Sequence, residues 1–122
     1  MMIVAIGGCR NFYDRDLIFS ELDAYFHVYA LGEEITILSG HGKGVDRLIE
    51  EYATERQYAL KIFPAEWNRY GRAAGPIRNS QMVEEAERVI AFWDLRSKGT
   101  ASLIRLARAQ KKLLHVIEIP ST

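Results

Sequence analysis

The chain reads as an α/β protein built on one five-stranded parallel sheet in the order 3-2-1-4-5, with helices on both faces. Two observations predict this. Apolar runs of strand length alternate along the sequence with amphipathic patterns of helical spacing, so that β–α units follow one another and crossovers must be right-handed. The runs also differ in how completely apolar they are, which ranks the strands from centre to edge. The 122 residues amount to one domain, 1–122, long enough to bury a core without staples.

The first run, Met2 to Ile6, is uninterrupted and ends at Gly7 and Gly8, as expected of a central strand. Asp14 is placed to cap the next helix, whose stripe Ile18, Leu22, Tyr25, Phe26 and Tyr29 faces the core until Gly32 ends it. Ile35 to Leu38 forms the second strand, and Val45, Leu48, Ile49, Tyr52 and Ala53 give the second helix one apolar face. In the third strand, Leu60 to Phe63, Lys61 breaks the apolar run, which puts this strand at an edge. Ala65 to Gly75 reads as a long aromatic loop suited to a lid, followed by a helix with Pro76 at its first position. Val89 to Trp93 is wholly apolar and central. A helix with Leu103, Ile104 and Ala107 inward and cations at its end then leads to an edge strand, Leu113 to Ile119.

Apolar residues make up 48% of the chain, and sixteen basic side chains balance sixteen acidic ones, which excludes a disordered or polybasic class and makes nucleic acid an unexpected partner. The lone Cys9 forms no internal disulfide and joins no metal-ligand cluster, so a reduced, cytoplasmic setting is expected and no metal. The apolar N-terminus has no basic leader and meets glycine too early for a signal peptide or a spanning helix; no membrane association is expected. Self-association into a homo-oligomer stays open.

Three short segments carry the chemistry: residues 7–12 (GlyGlyCysArgAsnPhe), 39–44 (SerGlyHisGlyLysGly) and 97–100 (SerLysGlyThr). Each joins a strand to a helix at the carboxyl edge of the sheet, where backbone N–H groups point at anions. No Walker A loop is present, and the GxGxG of Gly40, Gly42 and Gly44 follows the second strand, where a dinucleotide fingerprint would follow the first. What remains is a distributed cradle. Gly7, Gly8, Gly40, Gly42, Gly44, Gly75 and Gly99 allow close approach, Arg10, Arg72 and Arg78 supply forked donors, and Ser39, Asn79 and Thr100 supply polar side chains. Arg78 sits in an exposed first turn, where the dipole disfavours a cation unless an anion is near. Asp46 is either a cap or a ribose-hydroxyl acceptor. Asp46 and Glu66 are the weak candidates for catalytic carboxylates, and Trp67 with Tyr70 either stacks on a base or seats the loop.

Those segments, together with PheProAlaGluTrp (63–67), TyrGlyArgAlaAlaGlyProIleArgAsnSerGlnMet (70–82) and ValIleAlaPheTrp (89–93), resemble the YspA-type, YpsA-related branch of the SLOG superfamily, which groups DprA/Smf proteins with the LOG proteins. The resemblance covers residues 3 to 117. It implies a three-layer Rossmann-like fold and a pocket for a nucleotide or nucleotide-derived ligand. LOG enzymes hydrolyse the N-glycosidic bond of nucleoside monophosphates. Arg78, Met82, Gly99 and Thr100 match parts of their motifs, but Ser102 and Leu103 stand where their glutamates assist cleavage. With those catalytic carboxylates missing, the chain is read as a sensor or accessory module that requires no cofactor, and LOG-type activity is the alternative expectation.

Overall fold

The computed structural model describes residues 1–120. Five strands, β1 (Met2–Gly8), β2 (Ile35–Ser39), β3 (Ala59–Ile62), β4 (Arg88–Trp93) and β5 (Leu113–Glu118), form one all-parallel sheet in the order β3-β2-β1-β4-β5. Between them lie α1 (Arg15–Tyr29), α2 (Val45–Glu55), the short α3 (Trp67–Tyr70), α4 (Ala74–Glu85) and α5 (Lys98–Ala109). The sheet order is the expected one. Lys61 on edge strand β3 reaches water and pairs with Glu85 at 2.7 Å.

Alternation along the central strands sorts side chains into two cores. Val4, Ile6, Ile37, Ile90 and Phe92 pack beneath α1 and α2, while Ala5, Leu38, Val89 and Ala91 pack beneath α4 and α5. Both faces are therefore buried, which accounts for the continuous apolar runs of β1 and β4. Tyr52, fully buried in the first core, donates to Asp23 at 2.7 Å, and Asp23 in turn receives Arg56. The Asp14 side chain caps α1 by accepting from the Leu17 N–H at 3.1 Å.

Three expectations need correction. Gly7 and Gly8 belong to β1, pairing with Ala91 and Phe92 of β4, because nothing in the ladder requires the chain to turn before Cys9. Tyr29 is half exposed, since α1 ends there and its last turn overhangs the sheet. The stretch from Ala65 to Gly75 is irregular only at Ala65 and Glu66: from Trp67 on, α3 and a 3₁₀ turn at Gly71–Ala73 lead straight into α4. As a result α4 starts at Ala74, and Pro76 is its third residue, still in the first turn where no intrahelical acceptor awaits an N–H.

Candidate functional site

The order of the sheet reverses direction between β1 and β4, and at the carboxyl ends of the strands there a cleft of about 800 Å³ opens. The start of α2 forms its floor. An ideal Cβ on Gly8 would lie 2.6 Å from a Val45 methyl, so the first turn of α2 rests directly on the end of β1. The start of α5 forms a second wall, shaped by Asp94, whose Oδ1 accepts from the backbone N–H groups of Arg96 (2.9 Å) and Ser97 (2.8 Å). Those two bonds hold the Asp94 carboxyl below its ordinary range. Ser97 Oγ then caps α5 by accepting from the Thr100 N–H and hydroxyl.

The structure brings Gly7, Gly8, Arg10, Gly40, Gly42, Asp46, Trp67, Gly75, Arg78, Asn79, Gly99 and Thr100 onto this cleft. Four expected residues do not line it. Ser39 is fully buried, donating to Glu50 at 2.8 Å and accepting from the His41 N–H at 3.2 Å, so it braces the β2–α2 turn. Gly44 packs against the Arg10 backbone, and Glu66 just before α3 and Arg72 in the 3₁₀ turn are exposed outside the cleft. Conversely, Lys43, Arg47, Lys98 and Arg105 line the cleft without having been singled out. A signal was available for α5, because Lys98, Ser102 and Arg105 recur at i, i+4 and i+7 and so share one helical face.

Arg78 differs from the expected exposed donor. It is the fifth residue of α4 and half-buried, with its guanidinium donating from Nη1 to the Gly40 carbonyl and from Nε to Asn79 Oδ1 at 2.9 Å. Asn79 Nδ2 continues the chain to the Gly99 carbonyl at 3.2 Å. Arg78 thereby straps together the β2–α2 turn, α4 and the start of α5. We expect Arg78→Ala to lower the urea midpoint, by an amount equivalent to about 1–3 kcal/mol, because Gly40 and Asn79 lose their partner. Arg78→Lys will recover little of it, since an ammonium lacks the fork that serves two acceptors. A midpoint unchanged in Arg78→Ala would show that the strap holds nothing.

Asp46 is the one carboxylate on the cleft among the described residues. Its Oδ2 accepts from the Gly42 N–H at 2.9 Å, while Oδ1 is buried with no hydrogen-bond partner among the described residues. Burial pushes its carboxyl up to about 6, against the pull of that backbone bond and of the Arg78 charge. Cys9, also buried, has a thiol raised by desolvation, which makes it unreactive.

A family model described as "YspA, cpYpsA-related SLOG family" matches residues 2–70, the stretch from β1 through α3 that carries the β1 and β2 turns. The chain is also 32% identical over 123 residues to the "Gene 61 protein" of Mycobacterium phage D29, an alignment covering 96% of this chain and 95% of that protein. No helix among the described residues is long and apolar enough to cross a membrane.

Proposed function

Because this chain belongs to the YspA, cpYpsA-related SLOG family, we propose that it binds a nucleotide or nucleotide-derived ligand in this cleft, as a sensor or accessory domain spanning residues 1–122. One observation carries that conclusion. Among the described residues, six cationic side chains (Arg10, Lys43, Arg47, Arg78, Lys98 and Arg105) and a single carboxylate line the cleft of a chain whose sixteen basic and sixteen acidic side chains balance overall. Like charges gathered in a concave site raise one another's energy, and a polyphosphate or phosphate monoester relieves that repulsion.

The start of α5 suits the phosphate best. Asp94 and the Ser97 cap take the Arg96, Ser97 and Thr100 N–H groups, but those of Lys98 and Gly99 have no such partner among the described residues and a Cβ on Gly99 would meet nothing within 4 Å, so this part of the helix start is open beside the Arg105 face. The start of α2 is already occupied by its own carboxylate, Asp46, on the Gly42 N–H. Trp67, 57% exposed at the rim, offers a flat apolar face for a base.

Titration calorimetry with nucleoside mono- and diphosphates tests this. We expect binding that weakens with added salt and that falls roughly tenfold or more in Arg10→Ala, the loss typical of a charge-assisted contact. Absence of heat for all of them at low millimolar concentration would overturn the assignment. A second function, hydrolysis of the N-glycosidic bond, is favoured by the unpartnered Asp46 oxygen in the cleft, since an oxocarbenium-like transition state needs a nearby carboxylate. Release of free base from nucleoside monophosphates, abolished in Asp46→Asn, is its signature.

A further inference from the structure

Half of the Asp46 carboxylate is unused. Oδ2 is held by the Gly42 N–H, but Oδ1 has no partner among the described residues, and the residue is only 8% exposed. A buried carboxylate oxygen without a donor costs free energy, and the cost is removed when a donor arrives. The surroundings prevent the side chain from turning away to water. Val45 beside it is fully buried, and α2 is seated on the end of β1.

Gly7 keeps a gap next to this oxygen. A Cβ there would lie 4.0 Å from Oδ1 and 2.8 Å from a Leu103 methyl, so any side chain would fill the space between the α2 and α5 walls. Both Gly7 and Leu103 line the cleft. The part of a nucleotide that reaches this point must be a donor without negative charge, because a phosphate would be repelled by the carboxylate and has the free N–H groups at the start of α5 to occupy instead. In a nucleotide the neutral group between base and phosphate is the pentose with its hydroxyls.

We propose that Asp46 Oδ1 accepts a hydrogen bond from a pentose hydroxyl of the ligand, so that the cleft selects ribonucleotides over nucleotides lacking sugar hydroxyls. This rests on the nucleotide assignment above and deepens it. The selectivity is large because of what the wrong ligand leaves behind: a deoxygenated sugar seals the cleft over an ionised carboxylate that still lacks a donor. Other charged groups around Asp46 are Arg78 on α4, Glu50 on α2 and His41 on the β2–α2 turn, with Arg10 facing Arg78. None of them is a carboxylate free within the cleft, since Glu50 is engaged by Ser39 and His41.

The decisive measurement is titration calorimetry at pH 7.5 with AMP, GMP, CMP and UMP, each against its 2′,3′-dideoxy counterpart, on the parent and on Asp46→Asn. We expect at least one ribonucleotide to bind the parent roughly tenfold or more tightly than its dideoxy form, and Asp46→Asn to reduce that ratio severalfold. Lowering the pH from 7.5 to 5 should shrink the ratio in the parent, whereas protonation of the ligand phosphate affects both members of a pair alike and cancels. If ribo and dideoxy forms bind the parent equally, the role of Asp46 is overturned while nucleotide binding stands. If no ribonucleotide binds, both fall. If the variant fails to fold, the fall of the parent's own ratio between pH 7.5 and pH 5 carries the assignment to Asp46, and a ratio that does not change with pH overturns it.

Discussion

Replacing Asp46 with asparagine will remove the loss of folding stability that this carboxyl imposes on the parent between pH 4 and pH 7. The Asp46 carboxyl is raised from its ordinary 3.8 to about 6, chiefly by burial, so the folded state holds a proton there that the unfolded chain has already lost. The neutral acid is tolerated in the fold, and the charge is not. Its contribution is therefore fully present below about pH 3.8 and is lost as the pH rises through about 6, a difference on the order of 3 kcal/mol. Urea denaturation of parent and variant at pH 4, 5, 6 and 7 checks this, since every other titrating group is common to both. The gap between the two proteins should shift by that amount in favour of the variant as pH rises. Parallel pH profiles would mean that Asp46 is solvated enough to ionise normally, and the unpartnered oxygen would lose its significance. A protein that keeps a destabilising carboxylate at the centre of a cationic cleft has traded stability for something done there.

Gly44→Ala will unfold more easily than any other glycine-to-alanine change in the turns, by about 3 kcal/mol or more. Gly44 caps α2 with φ 66° and ψ −119°, a conformation that side-chain-bearing residues rarely adopt. An ideal Cβ there would also lie 2.5 Å from the Arg10 carbonyl oxygen and 2.7 Å from that of Cys9. Those are backbone atoms and cannot swing aside, the more so because the Cys9 carbonyl accepts from the Val45 N–H at 3.1 Å. Gly32→Ala separates the two causes, since Gly32 has φ 79° but nothing within 4 Å of a new Cβ. Its cost should be only that of backbone strain, about 1 kcal/mol. Equal urea midpoints for the two variants would mean that the β1 and β2 turns are not locked together as described.

Most of the site's scaffold could be read from local pattern. The apolar runs, the Asp14 cap and the glycine-rich turn after β2 announce themselves within a few residues, because period and turn chemistry are local properties. Lys61 even placed β3 at the edge, where its ammonium pairs with Glu85 in reach of water. The short α3 escaped notice because four residues make barely one turn and display no periodic stripe.

By itself, then, the sequence determined the fold class, the order of the strands and the edge of the sheet at which the glycine-bearing turns gather, since these follow from which segments must be buried on two faces and which on one. The tertiary structure alone decided what each polar side chain does there. Ser39 and Gly44 sit in the same glycine-rich segment as Gly40 and Gly42, yet one is bonded to Glu50 and the other pressed against the Arg10 carbonyl, both away from the cleft. Arg78 became a strap and Asp46 an unpaired acceptor for the same reason. A polar group's role depends on whether another element, distant in sequence, arrives to satisfy it, and no spacing along the chain records which donors and acceptors have already been used.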